Sequence, residues 1–176
     1  MPIIMTIDAL RYPVGPFAPE TATSARRRVE LINELADYPR SMREVVDSVG
    51  VARIDTPYRP GGWSVRETVH HVADANLHNY IRLKLALTDA EPAVPAFAQN
   101  HWAELPDSRL PVEVSLRLLD AVHERWDVVW RSLNDEQFDR TLRHSQRGLM
   151  TVDLHLQFSA WHSRHHLAQI RNLQCT

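Results

Sequence analysis

A strip of polar residues runs through an apolar stretch near the C-terminal end of the chain and constrains the fold more than any other feature. Its members are spaced by threes and fours, the repeat of one helix face: His155, Ser159, His162, His166 and Gln169. Apolar residues flank the strip: Leu156, Phe158, Trp161, Leu167 and Ile170. Buried polar groups must find partners. The stretch therefore predicts a helix that packs inside a bundle and carries polar groups into its interior.

Three further stretches show a helical repeat of apolar residues. With the last one, the predicted helices cover 23–50, 65–88, 111–133 and 151–173. Pro39 lies inside the first, so we expect either one kinked helix or two abutting helices, because a mid-helix proline costs about 3 kcal/mol. Ser64 and Glu67 form a capping box before the second. With no strand periodicity, the pattern predicts an all-α four-helix bundle that forms a single domain over residues 1–176.

Prolines concentrate in two other segments. Residues 1–20 hold four of the eleven prolines and predict an extended, irregular N-terminal arm. Residues 91–111 hold four more and predict a long crossover loop folded over the surface. Such a loop covers a site if Phe97, His101 and Trp102 face it; alternatively, Trp102 simply packs the loop onto the bundle. We interpret Trp126 and Trp130, in the third helix, as packing residues.

Composition excludes several classes of protein. A formal charge of −2 gives no basic surface for nucleic acid. The sequence has no apolar run long enough for a membrane span, which takes about 18 residues, and no pattern of a secretory signal at its start. The single cysteine, Cys175, cannot form an internal disulfide, which fits a reducing compartment. We therefore expect a cytoplasmic protein with no membrane or nucleic-acid partner.

Histidines cluster in a way that favours a metal site. Seven of the ten fall between His70 and His78 or between His155 and His166. On a helix, His162 and His166 share one face and could bind one ion, while the second helix supplies a third ligand. Helical periodicity favours His70 over His71 for that role but leaves both open. Histidines that are merely satisfied core residues are the alternative interpretation.

Two motifs carry a resemblance to a known family. The sequences WSVRETVHHVAD at 63–74 and WHSRHH at 161–166 resemble those of the DinB-like metalloprotein superfamily, and within it the YfiT branch. Segments 11–15, 57–63 and 80–88 extend the similarity over nearly the whole chain. The branch is known for metal-dependent hydrolases and bacillithiol S-transferases.

The resemblance implies a four-helix bundle that binds a divalent ion, nickel or zinc, through three histidines. The family's first ligand lies eight residues after the tryptophan of its first motif, which is His71 here, and its last pair corresponds to His162 and His166. It also implies a homodimer that acts on a small-molecule substrate, with a low-molecular-weight thiol as a second substrate if it is a transferase.

Other polar residues near these motifs are weaker candidates. Asp74, one helical turn after His71, is the catalytic candidate, as a hydrogen-bond acceptor behind a metal ligand, or else a solvent-facing carboxylate. Gln169 and Tyr80 are similar candidates. We expect Arg82 and Lys84 on a solvated face, or attracting an anionic substrate.

The sequence thus predicts a metal enzyme with an open coordination position. Position 163 is Ser, so the glutamate of the H-E-x-x-H protease motif is absent and peptide hydrolysis is disfavoured. Hydrolysis of a small electrophile and transfer of a thiol to it both remain open. A bundle that binds a metal or ligand in a stress response without catalysis is the alternative.

Overall fold

The computed structural model describes residues 7–173, so Cys175 lies outside the described part of the chain. The helices are α1 Ile7–Arg11, α2 Ala25–Val49, α3 Val65–Thr88, α4 Gln99–Ala103, α5 Glu113–Arg131, α6 Asp135–Phe138 and α7 Val152–Asn172. The strands are β1 Ala93–Val94, β2 Thr141–His144 and β3 Gly148–Thr151. Single turns of 3₁₀-helix cover Val51–Arg53 and Pro106–Arg109.

The four long helices α2, α3, α5 and α7 form the predicted bundle. Helix α2 packs mainly on α5 and α7, and α3 packs on the same two helices. The consecutive helices α2 and α3 therefore lie on opposite corners of the bundle. This arrangement brings α3 and α7 side by side, although some sixty residues separate them in the sequence.

Local sequence determines where these helices begin and end. Ser64 accepts the backbone N–H of Glu67, whose carboxylate accepts the N–H of Ser64, so the predicted capping box is present. Helix α2 runs through Pro39 as a single helix and ends at Gly50, whose φ of 74° favours glycine. The start of α7 is capped by Thr151, which accepts the N–H of Leu154.

The hydrophobic core has two parts. Trp126 and Trp130 of α5 are each 1% exposed, which confirms them as packing residues. The second part lies around Met42, Val69 and Leu119.

A small three-stranded sheet corrects the prediction of an all-α fold. β2 and β3 form an antiparallel hairpin, and β1 pairs with β2 in parallel. The strands have two to four residues, too few for alternation to stand out in the sequence. Gly148, with a φ of 73°, begins β3 just after the hairpin turn. An ordered hairpin therefore lies between α6 and α7, in a segment for which the sequence predicted no regular structure.

The two proline-containing segments also contain more regular structure than expected. Helix α1 lies within the arm, which we predicted to be extended and irregular. The first six residues of the arm lie outside the described part of the chain. The arm is held on α7 by two bonds to backbone carbonyls: the Trp161 indole donates to Gly15 at 3.1 Å and the Gln169 amide donates to Arg11 at 3.0 Å. The crossover between α3 and α5 contains β1, α4 and a 3₁₀ turn. No helix within residues 7–173 is both long and apolar enough to span a bilayer.

Candidate metal centre

Three histidines from two helices converge beside a cavity. His71 comes from α3, while His162 and His166 lie one turn apart on α7. The ring centroid of His71 is 5.4 Å from that of His162 and 4.9 Å from that of His166. One ring nitrogen from each lies within 4.8 Å of the others. These are the three residues that the family resemblance implies as metal ligands.

His70 and His71 differ in their bonding. The two nitrogens of His70 are hydrogen-bonded to the Ser115 hydroxyl at 2.7 Å and the Leu110 carbonyl at 3.0 Å. Neither nitrogen of His71 has a hydrogen-bond partner among the described residues, although His71 is only 5% exposed. His70 therefore has no free nitrogen to offer, and His71 has two.

Gln169 fixes the orientation of His166. The Nδ1–H of His166 donates to Gln169 Oε1 at 2.9 Å, which leaves the lone pair on Nε2. That Nε2 atom is 3.2 Å from Nε2 of His162. The Gln169 amide group also donates to His165 Nε2 at 2.9 Å. One glutamine thus orients two histidines of α7 and connects them to the arm.

Electrostatics keep the three rings neutral. Burial, followed by the nearby His166 and His165, holds the pKa of His71 well below its ordinary value of 6.5. Burial and the neighbouring histidines likewise hold the pKa values of His162 and His166 well below 6.5. Near pH 7 all three rings are therefore neutral and have lone pairs available for a cation.

The donor set fits a divalent ion. Nitrogens that bind one tetrahedral zinc ion at about 2.0–2.1 Å lie about 3.3 Å apart, close to the 3.2 Å between the Nε2 atoms of His162 and His166. Buried imidazole nitrogens without a protein partner are costly unless something binds them. Within residues 7–173, the cluster contains these three histidines and no fourth protein ligand. Three nitrogen ligands with one position left free is the pattern of catalytic rather than structural zinc sites.

The adjoining cavity has a volume of about 530 Å³ and has aromatic walls. Its aromatic lining residues, apart from histidines, are Tyr12, Tyr58, Trp63, Phe97, Phe158 and Trp161. The Trp63 ring lies 4.6 Å from His71, and Phe97 of the crossover lies 5.9 Å from it. The predicted loop contact through Phe97 is therefore present. Trp102 instead packs against Phe97 and His78, and His101 is exposed.

The structure places the weaker candidates differently. Asp74 is half-buried, does not line the cavity and bonds to none of the three histidines. Burial and the nearby Asp107 raise its pKa to about 6. Tyr80 is buried in the hydrophobic core, and Lys84 is exposed as expected.

Arg82 contradicts the expectation of a solvated face, since it is 7% exposed and lines the cavity. The crossover segment covers it, and the carbonyl of Pro95 accepts its guanidinium N–H at 2.6 Å. His144 and Arg147 also line the cavity, although no motif or periodicity in the sequence marks them as candidates. Both belong to the hairpin, and Gly148 beside them was the only available sign of a turn.

Fold and site together define a helical-bundle protein with a candidate centre of three histidines. The model of the DinB superfamily matches residues 34–170, which include all three histidines. The chain belongs to the DinB superfamily. The resemblance drawn from the two sequence motifs is therefore confirmed.

Individual relatives agree with this assignment. Two Bacillus cereus proteins are each 41% identical over 96% of this chain and 97% of their own length. A protein from Oceanobacillus iheyensis is 39% identical over 93% of this chain and 95% of its own length. All three are named "Putative metal-dependent hydrolase". The solved structure of YfiT from Bacillus subtilis, described as a probable metal-dependent hydrolase with an unusual four-helix bundle topology, is 38% identical. It superposes with a TM-score of 0.91 and covers 94% of this chain and 96% of its own.

Proposed function

We propose that the protein is a metal-dependent hydrolase that acts on a small electrophilic substrate and holds its ion through His71, His162 and His166. The observation that carries the proposal is the convergence of three neutral imidazoles, with no fourth protein ligand among the described residues, at the wall of a 530 Å³ cavity. The names of the relatives support the same reaction class.

The chain's own residues prepare the site before any substrate enters. Burial keeps the histidines unprotonated, and Gln169 holds the proton of His166 on Nδ1 so that Nε2 stays free. Trp63 and Phe97 place apolar surface beside His71 and limit access of water from that side. A divalent ion bound there supplies Lewis acidity and lowers the pKa of a water or thiol at its open position. Imidazole ligands suit both nickel and zinc, so either ion is compatible with the proposal.

Transfer of a low-molecular-weight thiol to the electrophile is the second candidate reaction. The described residues that line the cavity include no Asp or Glu to act as a carboxylate general base. A thiol has a lower pKa than water and needs less help to lose its proton. This feature of the lining favours thiol transfer over hydrolysis assisted by a carboxylate.

Product analysis separates the two reactions. Protein purified without an affinity tag is first assayed for metal by elemental analysis, then incubated with a panel of small electrophiles and thiols in ¹⁸O-labelled water. Hydrolysis incorporates ¹⁸O into the product, whereas transfer gives a thioether and no label. The His71→Ala variant is the control for background reaction. Absence of both metal and turnover would refute the proposal and favour a non-catalytic ligand-binding bundle of a stress response.

Two further expectations remain proposals. We infer a homodimer and a cytoplasmic location from the family resemblance and from the sequence. Sedimentation equilibrium of the purified protein tests the first, and cell fractionation tests the second.

A further inference from the structure

The charged residues around the cavity are of one sign. Four arginines line it, Arg11, Arg59, Arg82 and Arg147, and no carboxylate does so among the described residues. Arg59 is already bonded to the Tyr58 hydroxyl and the Pro60 carbonyl, and Arg11 is exposed at the arm. The other two lie on the side of the hairpin and the crossover.

Arg82 is a buried cation that forms no ion pair with any carboxylate in the part of the chain that the structure describes. Its guanidinium donates to the Asn79 side chain at 3.0 Å and to the Pro95 carbonyl, both of them neutral groups. Its Nε–H is buried and has no hydrogen-bond partner among residues 7–173. Burying a guanidinium with no carboxylate and an unused donor is costly, so such an arrangement persists where an anion completes it.

Arg147 and His144 add donors beside Arg82. The Arg147 guanidinium lies 3.8 Å from the centroid of the Phe158 ring, and no carboxylate of the described chain pairs with it. His144 is 7% exposed, and its Nδ1 accepts the N–H of Gln146, which places the proton on Nε2 as a donor. Burial and the charges of Arg82 and Arg147 lower the pKa of His144 to about 4. The three side chains therefore act on one another through a shared positive field.

This group also lies close to the histidine centre. Arg147 stacks on Phe158, whose ring centroid is 5.8 Å from that of His162, and all three residues line the same cavity. A molecule small enough for the cavity can thus contact the arginines at one end and the histidine centre at the other.

We propose that Arg82, His144 and Arg147 form a subsite for an oxyanion, and that the substrate is a small organic molecule carrying a carboxylate or a phosphate group. The proposal extends the proposed function, because the anionic group anchors the substrate while its reactive carbon faces the three histidines. A planar guanidinium pairs with either oxyanion through two parallel hydrogen bonds. Binding energy from this remote group orients the reacting part of the substrate.

The test measures the binding of simple anions to the full-length protein, as purified, by isothermal titration calorimetry. The probes are succinate, inorganic phosphate and the neutral diamide of succinate. We expect one or both anions to bind and the diamide not to bind, with affinity falling as salt rises. Arg147→Gln and Arg82→Gln should each weaken anion binding about tenfold or more, because each removes charged hydrogen bonds.

The matched control is Arg143→Gln, which changes a hairpin arginine that pairs with Glu91 outside the cavity and should leave binding unchanged. Arg147 is exposed, so its variant should fold even if loss of the buried Arg82 does not permit folding. Equal anion binding by wild type and Arg147→Gln would overturn the proposal. Since no turnover is measured, the outcome is independent of whether the hydrolase assay succeeds.

Discussion

His70 and His71 are adjacent in the chain and almost equally buried. Within residues 7–173, however, both ring nitrogens of His70 have a hydrogen-bond partner and neither ring nitrogen of His71 has one. Neighbouring residues on a helix point about 100° apart. His70 accordingly faces α5 and the crossover, where it meets Ser115 and Leu110, and His71 faces α7. One helix position thus separates a structural histidine from a candidate ligand.

Replacement of His71 should affect metal content, whereas replacement of His70 should affect stability. His71→Ala and His162→Ala should abolish metal retention, because each removes one of three ligands, while the helical circular dichroism persists. His70→Ala should retain the metal but lose about 1–3 kcal/mol of unfolding free energy, because it leaves Ser115 without its partner. Elemental analysis and urea denaturation measure the two quantities. Full metal content in His71→Ala would contradict the assignment.

Gln169→Ala should weaken metal binding without preventing it. The variant frees Nδ1 of His166 and releases His165, and loss of such a hydrogen bond behind a ligand typically costs about 10–100-fold in affinity. Competition with a chromophoric chelator measures the change. The control is Gln157→Ala on the same helix, which loses bonds to Thr23 and Asp153 and should alter stability only. Equal affinities for both variants would rule out the orienting role of Gln169.

Acid should destabilise the protein partly through His123. Burial lowers the pKa of this residue to about 4 in the folded state, against 6.5 in the unfolded chain. The unfolded state therefore takes up the proton first as pH falls, and stability present above pH 6.5 is lost between about pH 6.5 and 4. The His123→Gln variant should lose about 2 kcal/mol less unfolding free energy than wild type between pH 7 and pH 4.5. Denaturation curves at pH 7 and pH 4.5 give the difference, and parallel losses in both proteins would contradict it.

Ser64→Ala should destabilise the start of the helix that carries His71. The substitution removes the side-chain acceptor for the Glu67 N–H and disrupts the capping box, at a cost of about 1 kcal/mol. Thermal and urea unfolding measure the loss. The exposed cap Ser24→Ala at the start of α2 is a comparison without a reciprocal carboxylate. A stability loss no larger than that of Ser24→Ala would show that the capping box adds nothing beyond an ordinary cap.

Features set by local chemistry could be predicted from the sequence. The capping box at Ser64, the end of α2 at Gly50 and the cap at Thr151 depend on residues within one turn of each other. The pairing of His162 with His166 could also be predicted, because a spacing of four places both on one helix face.

Features that depend on contacts between distant parts of the chain could not be predicted from the sequence. Arg82 has the spacing of an outward-facing residue, and only the packing of Pro95 over it creates its buried setting. β1 pairs with a strand about fifty residues away, so the residues near Ala93 do not predict the sheet. Periodicity favoured His70 because that residue does face a neighbouring helix; only the position of Ser115 shows that its nitrogens are already bonded.

The N-terminal arm uses its backbone for attachment and its side chains to line the cavity. The arm is tied down through the backbone carbonyls of Arg11 and Gly15, while the side chains of Arg11 and Tyr12 line the cavity. These two hydrogen bonds therefore do not depend on which side chains stand at positions 11 and 12. Substitutions at positions 11 and 12 can therefore change the lining of the cavity while the two hydrogen bonds to the arm and the three histidines are left unchanged.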